Sequence, residues 1–581
     1  MNYKTTCIAA AILGCATLVS AFATEPTLEF KVNKDAPRTA GMLGPSLDEE
    51  VIRGLGSDGK QHYFAVGTDF LSPGIKIWQS DDLVKWKDIG KVFTQANKPK
   101  ILNMGPHSWS YDFNAVTIND KGEYEFPTVR SRPTAHLDGT QPFSNPCIYY
   151  NEPDRTYYLY YSCSDTPKRR NSFIGCAKSK TLDKGWEDCG QLIHTREDDG
   201  KPFYAIDPAV IPGNNTGRIW MVYGSHYGGI AIVELDPKDP SKLLHPGTHG
   251  KTIASRSTDT VFDLSTLEKE KTAPKYKDVS NARQGIEKAA ILYHEHIYDG
   301  YYYLFVSYDD LEWSSNCRVG RSKDIEGPYL DYNGKPLIYY QRNLGKNTAV
   351  YGTKIIGPHS WKSTGTRWGT GHITVFTVPT EGEKHVMFGS DCVWRFGSGN
   401  NSYLGLRRVF WSKDGWPLLS PCLYAGEDMD IGSGSELVGK DLIPFDNEVR
   451  KDGILNSGES AQWDFIVFSQ SQDRSEGHVD ESTICTLKAD GTIEGGGKWK
   501  IGYWNSDEEI EDCITDDGRL FGQSYLMNSV SMLVELPGGV KADGVCAYGW
   551  DQDRKCQTVF FTGLTDKGIT VWGQRIPPSK N

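Results

Sequence analysis

The chain has 581 residues, more than one ordinary hydrophobic core supports, so two domains are expected. A formal net charge of -12 argues against a nucleic-acid partner, which calls for clustered lysine and arginine, and suits a neutral sugar polymer better than an acidic one. The 61 glycines and the 12% share of aromatic residues fit many short strands joined by tight turns.

The N-terminal stretch MNYKTTCIAAAILGCATLVSAFATEP sets one lysine before an apolar run and ends on small residues, Ala21-Phe22-Ala23, at an A-x-A cleavage position. It reads as an export signal over residues 1–23 and implies a secreted, periplasmic or extracellular location with no membrane span. Ile12-Leu13-Gly14-Cys15 is the competing lipoprotein reading, but the apolar stretch runs on past Cys15, where a lipidated chain turns polar. Of the 13 cysteines, Cys7 and Cys15 fall in the signal, and the odd remainder cannot pair completely. Cys163 and Cys176 lie on consecutive predicted strands and are candidates to meet across a hairpin. C-x-x-C spacing is absent, so a structural zinc site is not expected.

Residues 40–425 carry a fivefold repeat. Five aromatic and β-branched runs end in small or turn-forming residues: HYFAVGT from His62, YYLYYSC from Tyr157, IWMVYGS from Ile219, YYLFVSY from Tyr302 and HVMFGSD from His385. Each is followed by a second strand-like run: GIKIWQSDD, SFIGCAKSK, GIAIVEL, CRVGRSKD and LGLRRVFWSKD. The pattern predicts five four-stranded sheets set radially as a five-bladed β-propeller, an arrangement that leaves only short edges.

A shorter apolar run precedes each pair and is taken as the innermost strand. One polar residue recurs three positions before an apolar one: Asp48 (Val51), Asn145 (Ile148), Asp207 (Val210), Glu287 (Ala290) and His372 (Val375). Singly, such residues are more often turn formers. Five equivalent slots, three of them acidic, point instead to carboxylates converging at one end of a central channel. Glycoside hydrolysis needs such a set: one acid protonates the leaving oxygen, and a second carboxylate attacks or activates water. Negative neighbours are expected to raise the acid's pKa and keep it protonated.

The segments Ile206-Asp207-Pro208-Ala209-Val210, WMVYGSHYGGI from Trp220, VGRSKDIEGPY from Val319 and WGTGHITVF around His372 resemble glycoside hydrolase family 43. WSKDGWPLLSP from Trp411 resembles its arabinanase branch, and the similarity spans about residues 45–425. The resemblance implies an inverting mechanism with Asp48 as general base, Asp207 as modulator and positioner of the acid, and Glu287 as general acid. It also implies that His372 helps to hold a largely water-coordinated calcium. Four places depart from the family pattern. Leu47-Asp48-Glu49 stands for His-Asp-Pro, which makes Glu49 and Glu50 rival bases, although the register to Val51-Ile52 favours Asp48. Ser144-Asn145-Pro146-Cys147 replaces Trp-Ala-Pro-Asp and removes a stacking tryptophan, for which Trp109 is a candidate substitute. Glu287-Lys288-Ala289 replaces Glu-Ala-Pro. His226, after Ser225, stands where the family carries a large aromatic. Asn145, Ser225 and His226 are the candidate sugar-binding residues. His107 and His359, each within GPHSW, are assigned no role.

Residues 426–457 read as a linker, and 458–581 as a smaller antiparallel β-barrel or sandwich with turn signals at Asp490-Gly491 and Asp517-Gly518. A buttressing role for that part is favoured over glycan binding. The expected whole is a monomeric, inverting hydrolase of α-1,5-linked arabinofuranose chains. The alternatives are an exo-acting α-L-arabinofuranosidase or β-xylosidase of the same family, and, in another class, a catalytically silent glycan-binding propeller.

Overall fold

The structure, a computed structural model, describes residues 46–577 except 70–74, 95–96, 98–116, 119–123, 126–142, 165–171, 196–202, 257–284, 297–298, 310–313, 339–350, 368–369, 380–383, 397–398, 426–453, 456–457, 471–478, 502–528, 552 and 555. The export signal, the Cys15 lipoprotein reading, Trp109, His107 and Asp517-Gly518 therefore lie outside the described residues. Among the described residues no helix is long and apolar enough to cross a membrane.

Five antiparallel sheets follow one another along the chain, each built from four consecutive strands. The first comprises Ser46–Leu55, Gln61–Asp69, Lys76–Ser80 and Lys87–Lys91. The second comprises Ser144–Asn151, Thr156–Ser164, Ser172–Ser179 and Glu187–Thr195. The third comprises Ala209–Pro212, Ile219–Tyr223, Ile230–Asp236 and Asp239–Leu243, with Lys251–Ala254 added beside its third strand. Ile286–His296, Asp299–Tyr308, Asn316–Ser322 and Thr353–Ile356 form the fourth. The fifth is Thr374–Pro379, Lys384–Phe396, Gly399–Trp411 and Pro417–Leu419. The first strand of each sheet neighbours the first strand of the next, and that of the fifth returns to that of the first.

Both faces of each sheet are buried, which explains why the second strands read as continuous apolar runs and not as alternating ones. Phe64 and Val66 pack against Leu159 and Tyr161 between sheets one and two. On the other face of the second sheet, Tyr158 and Tyr160 meet Met221 and Val233 of the third. Val222 and Ile232 meet Leu304 and Val306, and Phe305 meets Phe388. Ala65 and Trp78 close the circuit against Phe376 and Met387. Each fully buried Phe, Leu or Val in these layers stabilises the fold by roughly 1.5–3 kcal/mol.

The same alternation corrects the expected cysteine pairing. Cys163 lies opposite Phe173, and Cys176 opposite Tyr160. Cys163 faces the layer toward the first sheet and Cys176 the layer toward the third. Three residues along a strand is roughly 10 Å, beyond the Cα separation a disulfide spans.

The C-terminal strands close into a barrel: Ser460–Val467, Thr483–Lys488, Thr492–Ile493, Gly497–Ile501, Ser529–Glu535, Lys541–Asp551, Cys556–Leu564 and Thr570–Arg575. Trp463, Phe465, Leu487, Trp499, Met532, Phe561 and Val571 fill it with side chains. The Asp490-Gly491 turn forms as its residue types predict, with Gly491 at φ +84° and the Asp490 carboxylate accepting from the Thr492 amide. Within 426–457 only Ile454 and Leu455 are described; both are buried against the barrel core, so this end of the expected linker is packed.

Barrel and sheets share one apolar layer, in which Ile466, Phe468 and Trp572 meet Phe388, Phe410 and Trp416. His359–Trp361 pairs in parallel with Asp480–Glu481 across this seam. The buried Lys354 ammonium sits 2.9 Å from Asp480, and Arg318 donates to both oxygens of Gln470. His359 is a packing residue here, its ring against Phe468 and Trp572.

Candidate active site

Each first strand of sheets one, two and four has an irregularity near its start: between Leu47 and Glu50, Ser144 and Cys147, and Glu287 and Ala290. One residue there adopts a left-handed backbone: Asp48 (φ +63°), Asn145 (+50°) and Lys288 (+38°), matched by Asp207 (+57°) and His372 (+49°) just before the first strands of sheets three and five. Left-handed backbone is unfavourable for any side chain, least so for Asn and Asp, and it concentrates where geometry serves function. Four of the five slots expected from spacing are therefore equivalent in structure. In the fourth sheet the equivalent residue is Lys288, and Glu287 sits one position earlier, opposite Ser307. Spacing alone misaligned this sheet, because both Ala290 and Ile291 supply an apolar residue three positions on.

Neighbouring sheets are stitched at these residues. The Asn145 amide donates to Thr68 Oγ1 of the first sheet at 2.9 Å, and the Asp207 amide to Ser162 Oγ of the second at 3.1 Å. The His372 amide donates to Ser307 Oγ at 3.0 Å. Between sheets three and four the acceptor is a carboxylate: the Lys288 amide donates to Asp207 Oδ2 at 3.1 Å. Hydroxyls also hold two of the carboxylates within their own sheets, Thr68 on Asp48 (3.0 Å) and Ser225 on Asp207.

The side chains converge in a line. His372 contacts Asp48 Oδ1 through Nδ1 and faces Glu287 Oε1 at 3.4 Å through Nε2. Glu287 Oε2 lies 3.1 Å from His226 Nε2. Asp48, Asp207, Glu287, Lys288 and His372 are all buried, and Asn145 is at the edge of burial. Behind Glu287, the buried Arg256–Asp309 pair (2.8 Å) fixes the carbonyl of Gly285, two residues earlier in the chain.

These contacts divide the carboxylates. Burial pushes the Asp48 carboxyl up, but the His372 and Lys288 charges and the Thr68 hydroxyl outweigh it and hold Asp48 below its ordinary value. Burial and the negative charge of Asp48 raise Asp207. Glu287 departs from expectation: burial pushes it up, yet the two imidazoles bring it well below the carboxylate range. Negative charge nearby thus raises Asp207 instead of Glu287. Burial lowers both imidazoles, but it is outweighed: Asp48 and Glu287 raise His372, and Glu287 and Asp207 raise His226. Glu50, a rival base, is raised to about 7 by burial, partly offset by Lys288 and by a hydrogen bond from Thr374. Glu49 is fully buried.

The donors present do not suit a calcium ion ligated by His372. Its Nδ1 is taken by Asp48, its Nε2 faces Glu287 at 3.4 Å without a hydrogen bond, the two carboxylates raise the imidazole toward its charged form, and calcium prefers oxygen ligands. Among the described residues no three His, Cys, Asp or Glu side chains are grouped as metal ligands.

The family model for glycosyl hydrolases family 43 matches residues 128–417, and that for a C-terminal lipocalin-like domain of the same family matches 460–573. The chain belongs to glycosyl hydrolases family 43. An extracellular endo-α-(1→5)-L-arabinanase from Thermotoga petrophila is 26% identical over 451 residues, 73% of this chain and 78% of that protein. A second, from Bacillus subtilis, is 24% identical over 450 residues, 73% and 77% of the two chains. An extracellular exo-α-(1→5)-L-arabinofuranosidase from Cellvibrio japonicus is 26% identical over 360 residues, 59% and 80%. The crystal structure of the Thermotoga petrophila endo-1,5-α-L-arabinanase matches this fold with a TM-score of 0.62 at 21% identity, covering 92% of this chain and 99% of that one. The chain is thus a glycoside hydrolase with an all-β fold and a C-terminal barrel.

As a family 43 hydrolase it carries site residues that sequence reasoning passed over: the hydroxyls of Thr68, Ser162 and Ser307, and Lys288. The hydroxyls were visible only as the small residues that end HYFAVGT, YYLYYSC and YYLFVSY. Lys288 was visible as a departure from the family pattern beside Glu287.

Proposed function

We propose that this protein is an inverting arabinanase that cuts α-1,5-linked L-arabinofuranose chains at the mouth of a five-bladed propeller. The observation that carries the reading is the line Asp48–His372–Glu287, joined with relatives named as arabinanases. One imidazole stands between the two carboxyl groups, which supports a gap of about 6.5–9.5 Å, enough for an attacking water, over the about 5 Å of retaining enzymes. Asp48, held ionised, takes the proton of the water that attacks the anomeric carbon. Glu287 delivers a proton to the departing oxygen. At rest that proton sits on His226, 3.1 Å from Glu287, and a bound polymer excludes water, which favours the neutral pair with the proton moved to Glu287. Asp207 acts on this acid through His226, whose charge it stabilises. Asn145 and His226 face the sugar, and Ser225 serves through its hydrogen bond to Asp207.

The protein acts as a monomer and outside the cell, the location being supported by its N-terminal signal and by relatives named extracellular. No step is routed through calcium, since Nδ1 of His372 is held by Asp48 and the carboxylates on either side raise the imidazole toward its charged form. Exo action is the second reading, favoured by the Cellvibrio japonicus relative. A silent binding module is disfavoured, because binding needs no buried acid and base. Incubation with linear arabinan, arabinoxylan and aryl glycosides tests the reading. Short arabino-oligosaccharides with inverted anomeric configuration by NMR are expected. Release of xylose alone, or retained configuration, overturns it.

A further inference from the structure

Lys288 occupies the same left-handed slot as Asp48, Asn145, Asp207 and His372, the residues that ring the centre of the first strands. It is 1% exposed, and its Nζ has no hydrogen-bond partner. A buried ammonium without a hydrogen bond is costly, so its retention calls for compensation by nearby negative charge. That charge is present: burial works against the ammonium, but Asp48, Glu50 and Asp207 raise its pKa. The main chain fixes it from both sides, through its amide on Asp207 Oδ2 and its carbonyl, which accepts from Ser307 Oγ at 3.4 Å.

We propose that the Lys288 ammonium is the resident cation of this active site, a positioning residue that holds Asp48 ionised and anchors the negative ring without a metal ion. A fixed positive charge among Asp48, Glu50 and Asp207 supplies at this centre the charge that a soluble cation would bring. The inference rests on the reading of Asp48 as base. An opposite charge close to a carboxylate lowers its pKa by roughly 1–3 units. Loss of this charge therefore shifts the ionisation of the base upward, and the shift is read in kinetics.

The test is the pH dependence of kcat/KM on linear arabinan. Lys288→Met removes the charge at similar volume, and the acidic limb should move up by at least one pH unit. Lys288→Arg keeps the charge and should leave the limb near its wild-type position even if kcat falls several-fold. A Met variant that folds as wild type with an unmoved limb overturns the proposal. The reading of Asp48 is checked separately by Asp48→Asn: full activity there sinks the base assignment, whatever Lys288 does. Where the Met variant does not fold, the wild-type protein with 15N-labelled lysine decides, using Lys288→Arg to assign the signal. An ammonium at Lys288 throughout the active pH range is expected, and a neutral amine at pH 7 overturns the proposal. Exhaustive chelation of the wild-type enzyme should leave kcat/KM unchanged. Loss of activity restored by calcium overturns it.

Discussion

Two regions bury charge across long stretches of sequence, and they do so differently. At the seam between barrel and sheets, Lys354 meets Asp480 at 2.9 Å and donates to the Ser469 carbonyl, while Asp480 accepts from the Ser469 amide. Around the ring of first strands, charges are shared: His372 lies between two carboxylates and Glu287 between two imidazoles. Atoms are also left over there, Lys288 Nζ, Asp207 Oδ1, His226 Nδ1 and His372 Nε2, against Trp572 Nε1 in the apolar layer of the seam. Evolution removes unsatisfied buried polar atoms where only stability is at stake, so a cluster of them marks a place kept for a ligand or a reaction. The seam spends its charges on cohesion, and the ring keeps its charges available.

The largest expected effects separate these roles. Asp48→Asn should lower kcat on linear arabinan by about 10²–10⁴-fold, the range of general acid–base catalysis, with thermal unfolding little changed. Glu287→Gln should cost as much on the polymer but much less on an aryl glycoside with a low-pKa phenol, which needs no proton to depart. Equal losses on both substrates would place the acid elsewhere.

At the seam the balance reverses. Asp480→Ala strands the Lys354 ammonium in an apolar layer and should destabilise the protein by about 3–5 kcal/mol. At a temperature where the variant is folded, its kcat/KM should stay close to wild type. A variant with wild-type unfolding and impaired kcat/KM would mean that the barrel serves catalysis and not cohesion.

What the sequence disclosed follows the same division. The five aromatic runs were legible because both faces of each are buried, so apolar density alone marks them. HYFAVGT and YYLYYSC became second strands where expected. Facing was harder to read. Cys163 and Cys176 lie on paired strands, but the register turns them to opposite faces. The slot in the fourth sheet was misread by one residue, since Glu287-Lys288-Ala289-Ala290-Ile291 offers two equally good apolar references. The pKa of Glu287 was expected to rise from negative neighbours, yet His226 and His372, distant in sequence, face it instead. Such contacts exist only once the circle of sheets closes.

A smaller effect probes the stitching. Ser162→Ala leaves the buried Asp207 amide without its acceptor and should destabilise by about 1–3 kcal/mol. Because Asp207 acts on His226, the variant should also shift the pH profile slightly, whereas Ala at a seam hydroxyl such as Thr570, which donates to the Lys354 carbonyl, should not. Parallel pH profiles for both variants would remove the distinction between the regions at this level.

The smallest effect concerns Glu50, and its sign is fixed by linkage. Burial raises this carboxyl from 4.5 to about 7 in the folded protein. Between those values the native state keeps a proton that the unfolded chain has released, so stability falls as pH rises through that window. Below pH 4.5 both states are protonated, and above 7 both are ionised, so Glu50 adds no slope on either side. Glu50→Gln cannot ionise. Its unfolding temperature should track that of wild type at low pH and gain about 1–3 °C on it between pH 4.5 and 7, a modest step for a chain of this size. Lys288 is the reason for expecting a small step, since its charge already offsets part of the burial cost. In the Lys288→Met background the same Glu50→Gln substitution should therefore gain more. Curves that stay parallel in both backgrounds would show that Glu50 and Lys288 do not sense each other, and the ring would then be a set of separate pairs like the seam.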